Sequence, residues 1–263
     1  MQLKVLRSLW GTDESIPVEK RLEQVAAAGF DGVDGFPAEG YAPAEYRKLV
    51  ESFGLELLVG GIAERTEELE TILGGLAEYE PLRIGLMGGL DAMSREEGEA
   101  FFEEALRIEE SIGIPVAHET HRGRILFSPW DAAYYLKRFP ELKVLADFSH
   151  WVNVCERLPD DQETHLALAR RHTVHVHGRV GYAEGPQVPD PAAPEYADEL
   201  AWHEGQWKAI WEMREAAGDE MFTFTPEYGP PPYLHTLPHS NEPVADLWEI
   251  CVWTMQRARE VLG

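Results

Sequence analysis

The run Val-Leu-Ala-Asp-Phe-Ser-His-Trp at residues 144–151 sets an acid, Asp147, and an imidazole, His150, directly behind a short apolar segment. A buried strand ends where polarity changes, and the carboxyl ends of strands are where α/β proteins collect reactive side chains. Taken alone, the pattern fits equally well a helix cap followed by a surface histidine. The same pattern recurs along the chain. Glu119 follows the apolar run 115–118, His177 closes Thr-Val-His-Val-His at 173–177, and Glu227 follows the apolar run 221–226. Three carboxylates and one imidazole are a hard, oxygen-rich set that suits Mn²⁺, Mg²⁺ or Co²⁺, and the imidazole admits Zn²⁺. Converging without a counter-ion, the carboxylates would repel one another and resist ionisation; a divalent cation removes most of that penalty. Each residue taken singly has a plainer role: Glu119 as a partner of Arg122 or Arg124, Asp147 as a cap, Glu227 in a turn.

Residues two apart on a strand face the same way, so His175 and His177 share a face. Val174 and Val176 suit the side packed on helices, which turns both histidines toward the interior. His177, nearer the carboxyl end, is the candidate ligand. His175 lies one layer deeper, where it would be satisfied in the core or orient a ligand. His121, Arg122, Arg124 and Arg179 are candidates for holding substrate oxygens, each with a salt bridge as the alternative. Trp10, Phe36 and Trp151 fall near strand ends, where an aromatic either stacks on a ligand or closes the core.

The elements that would position these residues alternate regularly. Short apolar stretches at 3–9, 31–36, 55–61, 82–88, 115–118, 144–148, 173–177 and 221–226 read as strands. Helical spacing covers 17–28, 43–53, 66–78, 94–112, 128–139, 160–171, 202–217 and 243–262. Ser94-x-x-Glu97 is a capping box, Gly113 a stop, Thr66 a plausible cap and Pro129 a first-turn proline. The step is roughly that of one βα unit. Eight such units in sequence predict a single (β/α)8 barrel domain over 1–263, with a doubly wound sheet as runner-up. Residues 181–200 are rich in proline and glycine without periodicity. They are expected to form an extended βα loop, either a lid from which Gln187 and Asp190 reach substrate or a homodimer contact.

Composition narrows the function. There are 47 acidic and 23 basic residues, a formal charge of −24, which argues against nucleic-acid or anionic-membrane partners. No stretch is apolar enough to span a membrane, the first residues lack a signal peptide's apolar core, and the two cysteines lack metal or redox spacing. A reduced cytoplasmic protein is the expectation.

The strand ends Glu119, Asp147-x-x-His150, His175-Val-His177 and Glu227 resemble the xylose-isomerase-like TIM-barrel superfamily. That group includes sugar isomerases, ketose epimerases, dehydratases and apurinic endonucleases. The resemblance implies one divalent ion (Mn, Mg, Co or Zn) held by Glu119, Asp147, His177 and Glu227, with Glu119 and Glu227 as the acid/base pair. It implies that His150 touches substrate, and it makes Arg179 the nearest counterpart of a substrate-binding arginine. Together with His121, Arg124 and Trp10, these form the expected substrate site. The implied activity is isomerisation or epimerisation of a sugar or related hydroxyketone by proton abstraction beside a metal-bound carbonyl. The alternatives are a lyase or dehydratase on the same scaffold, an endonuclease-like phosphodiesterase, and a non-catalytic sugar-binding barrel.

Overall fold

The computed structural model describes all 263 residues. Its strands are β1 (Gln2–Ser8), β2 (Gly32–Asp34), β3 (Glu56–Ala63), β4 (Arg83–Gly88), β5 (Val116–Glu119), β6 (Val144–Ala146), β7 (Thr173–His177) and β8 (Met221–Thr225). Each pairs in parallel with the next, and β1 closes on β8 through Gln2–Val5 against Met221–Phe224. The result is the closed eight-stranded parallel barrel of the (β/α)8 fold.

The helices are α1 (Val18–Ala27), α2 (Pro43–Ser52), α3 (Leu69–Ala77), α4 (Arg95–Ile112), α5 (Pro129–Arg138), α6 (Phe148–Cys155), α7 (Glu163–His172), α8 (Ala197–Ala216) and α9 (Leu247–Leu262). Helical spacing buries Leu22 and Val25 of α1, Tyr46 and Val50 of α2, and Phe101, Phe102 and Ala105 of α4 in the layer around the barrel. Local signals set several boundaries. Ser94 accepts from the Glu97 amide, Glu97 returns a bond to the Ser94 amide, and Gly113 ends α4 in the left-handed region at φ 68°. Thr66 opens a 3₁₀ turn ahead of α3 and does not cap it. α8 begins earlier and α9 later than their apolar spacing predicts.

α6 is not among the helices expected from spacing, since its eight residues are too few to display a helical period. Trp151 seats it. The indole is stacked on Phe148, with ring centroids 4.7 Å apart, and its N–H donates to the Leu126 carbonyl at 2.9 Å. That anchor fixes the first turn of α6, which carries His150.

Residues 178–193, between β7 and α8, are tied down at 180–181 and at 187–188. The Val188 amide donates to the Val180 carbonyl at 2.9 Å, and the Gly181 amide meets His203 of α8 at 3.4 Å. Gln187 makes two bonds to the Gly229 backbone, 2.8 and 3.1 Å. Its side chain is thus consumed in tying the loop after β7 to the loop after β8 and does not reach toward substrate. Gly178 is required by close approach, since a Cβ there would fall 1.9 Å from the ring of Phe224.

Candidate active site

Four strand ends bring the candidate ligands to one mouth. Glu119 is the last residue of β5 and His177 the last of β7, while Asp147 follows β6 and Glu227 follows β8. One donor atom from each of the four lies within 4.8 Å of all the others. Glu119, Asp147 and His177 are buried and Glu227 is nearly so. Asp147 also caps α6, accepting from the Ser149 amide at 3.1 Å and from the Ser149 hydroxyl. The capping and clustering roles therefore coexist on different oxygens, because the other oxygen takes Arg179.

Asp34, at the end of β2, organises the layer below. Its Oδ2 accepts from Thr225 Oγ1 at 2.8 Å and lies 3.1 Å from His175 Nε2 and 3.2 Å from His177 Nε2. His175 is further held by Thr223 at 2.7 Å. Burial alone would raise the Asp34 pKa, but the bonds from the two histidines outweigh it and hold the carboxyl well below its usual range. No periodic signal marks Asp34; the only cue was a lone acid between Val33 and Gly35.

With Nε2 given to Asp34, the Nδ1 atom of His177 faces Glu119 Oε1 at 3.4 Å and Glu227 Oε2 at 3.2 Å. It is buried and makes no aligned hydrogen bond. Burial would lower the His177 pKa, but Glu227, Asp34 and Glu119 outweigh burial and hold it well above the ordinary imidazole range. An unbonded ring nitrogen between two carboxylates, with a third carboxylate behind, is what a divalent cation would need. The donor atoms of Glu119, Asp147, His177 and Glu227, all within 4.8 Å of one another, could together hold one such ion. The donor set fits such an ion.

Arg179 lies inside this group. Its guanidinium pairs with Asp147, reaches Glu227 at 3.4 Å and donates to His150 Nε2 at 2.6 Å. Burial pushes the Asp147 pKa up; Arg179 opposes this, but Glu227 and Glu119 add to it, leaving Asp147 at about 6. For Glu227, burial is outweighed by His177 and Arg179, which bring its pKa down to about 2. His150 is buried and neutral, its pKa lowered by burial and by the positive charges of Arg179 and its neighbours. Its ring lies 3.8 Å from that of His121.

A cavity of about 220 Å³ opens over the cluster, and its lining includes Glu119, His177, Arg179, Glu227, His121 and Trp10. On its β2–β4 side the glycines Gly35, Gly60 and Gly85 line it together with Asp34 and Met87, and Phe36 and Tyr233 also contribute to its wall. Asp147 and His150 stand behind Arg179 and do not line it. Arg124 is also outside: it is drawn away to Glu64 at 3.0 Å.

No family model matches the chain, and no curated protein does. Solved structures do. A sugar phosphate isomerase/epimerase from Parabacteroides distasonis aligns with TM-score 0.66 at 12% identity, over 99% of this chain and 95% of that one. The fold is that of the xylose-isomerase-like barrels. An AP endonuclease of family 2 from Brucella melitensis aligns with TM-score 0.61 at 16% identity, covering 96% of this chain and 98% of that one. A probable 3-DHS dehydratase involved in petrobactin synthesis, from Bacillus anthracis, gives TM-score 0.61 at 14% identity, covering 98% and 99%. The solved structures that this chain resembles thus include a sugar phosphate isomerase/epimerase, a dehydratase and an endonuclease. No helix is long and apolar enough to cross a membrane.

Proposed function

We propose that the chain is a divalent-metal-dependent isomerase or epimerase of a sugar or related hydroxyketone. One observation carries this reading. Of the three carboxylates that meet at the mouth, Glu119 and Glu227 open onto the cavity on either side of the unbonded His177 Nδ1, while Asp147 stands behind. Glu119, Asp147, His177 and Glu227 would hold the ion. When bound, such an ion polarises a carbonyl and acidifies the neighbouring C–H.

The remaining work falls to side chains. Glu227, ionised at neutral pH, is in the state a proton acceptor needs and would take the proton from carbon, while a protonated Glu119 would deliver its own proton from the opposite face. Arg179 and His121 supply donors toward negative charge developing on substrate oxygens. Trp10 forms an edge-on pair with Tyr233, ring centroids 4.9 Å apart, and closes the cavity above the reacting atoms. Delivery of a proton to the opposite face of the same carbon gives an epimer, and delivery to the adjacent carbon an isomer. Loss of a neighbouring hydroxyl would make the same start a dehydration. A phosphodiesterase acting on DNA fits less well, since the site is a small cavity in a chain of formal charge −24.

The test is incubation with Mn²⁺ and a panel of ketoses in D₂O, followed by NMR for deuterium on carbon. Exchange in the native protein and none in Glu119→Gln or Glu227→Gln is expected. Exchange that persists in both variants would remove the acid/base assignment, and an enone absorbance would move the assignment to a lyase.

A further inference from the structure

A second cavity, of about 180 Å³, lies outside the barrel between the loop after β1 and helices α1 and α9. Its lining includes Arg7, Thr12, Asp13, Arg21, Gln24 and Trp248. Arg7 is 1% exposed, yet no carboxylate pairs with it; one guanidinium nitrogen meets the Ser8 carbonyl, and the group lies 5.6 Å from the Trp248 ring centre. Arg21 is half-buried and spends one nitrogen on the Thr12 hydroxyl at 3.1 Å. The Nε atoms of both are buried without a partner.

These two arginines stand apart from the others. Acids outnumber bases by 47 to 23, so carboxylates are plentiful. Arg170 and Arg214 also have an unbonded Nε, but they are ion-paired with Glu163 and Asp219; of the rest only Arg83, which feels the charge of Asp219 without pairing with it, comes near their state. Asp13, the one acid on the cavity wall, turns its Oδ1 to the Ser15 amide at 2.9 Å; its charge is felt by Arg21, but it forms no close ion pair with either arginine. Burying a cation without a counter-charge is costly, and placing two around one cavity adds repulsion. An anion between them removes both penalties. Guanidinium forks match tetrahedral oxyanions, and the cavity has room for one.

We propose that Arg7 and Arg21 form a binding site for a small oxyanion of the phosphate class, separate from the cluster at the barrel mouth. The anion is either free inorganic phosphate or the phosphate group of a small metabolite.

The experiment is thermal unfolding of the EDTA-treated full chain against inorganic phosphate, with chloride at matched ionic strength as control. A parallel titration uses glycerol phosphate. Phosphate is expected to raise the midpoint saturably, by about 2–4 °C near saturation. Arg21→Gln should raise the half-saturating concentration at least about tenfold, as the loss of a charge-assisted hydrogen bond would. Arg7→Met should abolish the response; if that variant does not fold, Arg21→Gln alone decides. Glu119→Gln should leave the response unchanged, since the two sites are distinct. Tighter binding of inorganic phosphate than of the ester assigns the site to the free anion, and the reverse order assigns it to a phosphorylated metabolite. A response no larger than that to chloride, or one equal in Arg21→Gln and the native chain, overturns the proposal.

Discussion

Adding Mn²⁺ to the metal-free protein should release protons, and more of them at pH 5 than at pH 7. His177 is the first source. Burial would lower its pKa, but Glu227, Asp34 and Glu119 hold it well above the usual range, so at neutral pH both ring nitrogens carry hydrogen. The Nε2 proton stays with Asp34 at 3.2 Å, and the Nδ1 proton must leave for a cation to bind there. Asp147 is the second source. With a pKa of about 6, it is roughly a tenth protonated at pH 7 and roughly nine-tenths at pH 5. Glu227, near 2, contributes none. The expected release is therefore about one proton per ion at pH 7 and about two at pH 5. The logarithm of the association constant should rise with pH at a slope near one about neutrality, steepening toward two in acid. Titration calorimetry in pairs of buffers with different ionisation enthalpies measures both quantities. Zero release at pH 7 would refute the assignment of Nδ1 as a ligand atom, and equal release at both pH values would remove Asp147 from the set.

Three further outcomes follow from contacts around the site. Asp34→Asn should destabilise the protein by about 2–4 kcal/mol at pH 7. Because the folded pKa of Asp34 is depressed, its contribution is present above the unfolded carboxylate value and fades as pH falls below it, so urea unfolding should show the deficit narrowing toward pH 3. A deficit independent of pH would mean that the network is not ionic. Arg179→Met leaves Asp147 and Glu227 facing each other without their cation, at a cost of about 3–5 kcal/mol in EDTA, and Mn²⁺ should restore much of the loss. Equal losses with and without Mn²⁺ would count against a shared site. Gln187→Ala removes both bonds to Gly229, worth about 1–2 kcal/mol together, and should speed amide exchange across 181–193 while leaving β8 unchanged.

What could be read from the sequence divides along a physical line. Apolar strands followed by amphipathic helices are local patterns, and their eightfold repetition left few topologies, so the barrel and the register of its four polar strand ends followed directly. Features that depend on encounters between distant side chains were not legible. Arg179 reads as a substrate-binding group only as the nearest counterpart of the arginine that the resemblance places after the metal histidine, and its partners, Asp147 and Glu227, come from β6 and β8 ends far away in the chain. Asp34 is one short acid among 47, and only closure of the barrel brings it beneath His177. Gln187 and Arg124 fail in the opposite sense. Polar residues near a mouth suggest contact with substrate, yet the Gly229 backbone and Glu64 claim them first. α6 escaped because eight residues give barely two turns in which a helical period could show, and because its polar Ser149 and His150 are buried with the apolar residues. Its concealment matters for chemistry. The same short helix turns His150 inward behind Arg179, so that an imidazole three residues after an acid meets a guanidinium and does not line the cavity.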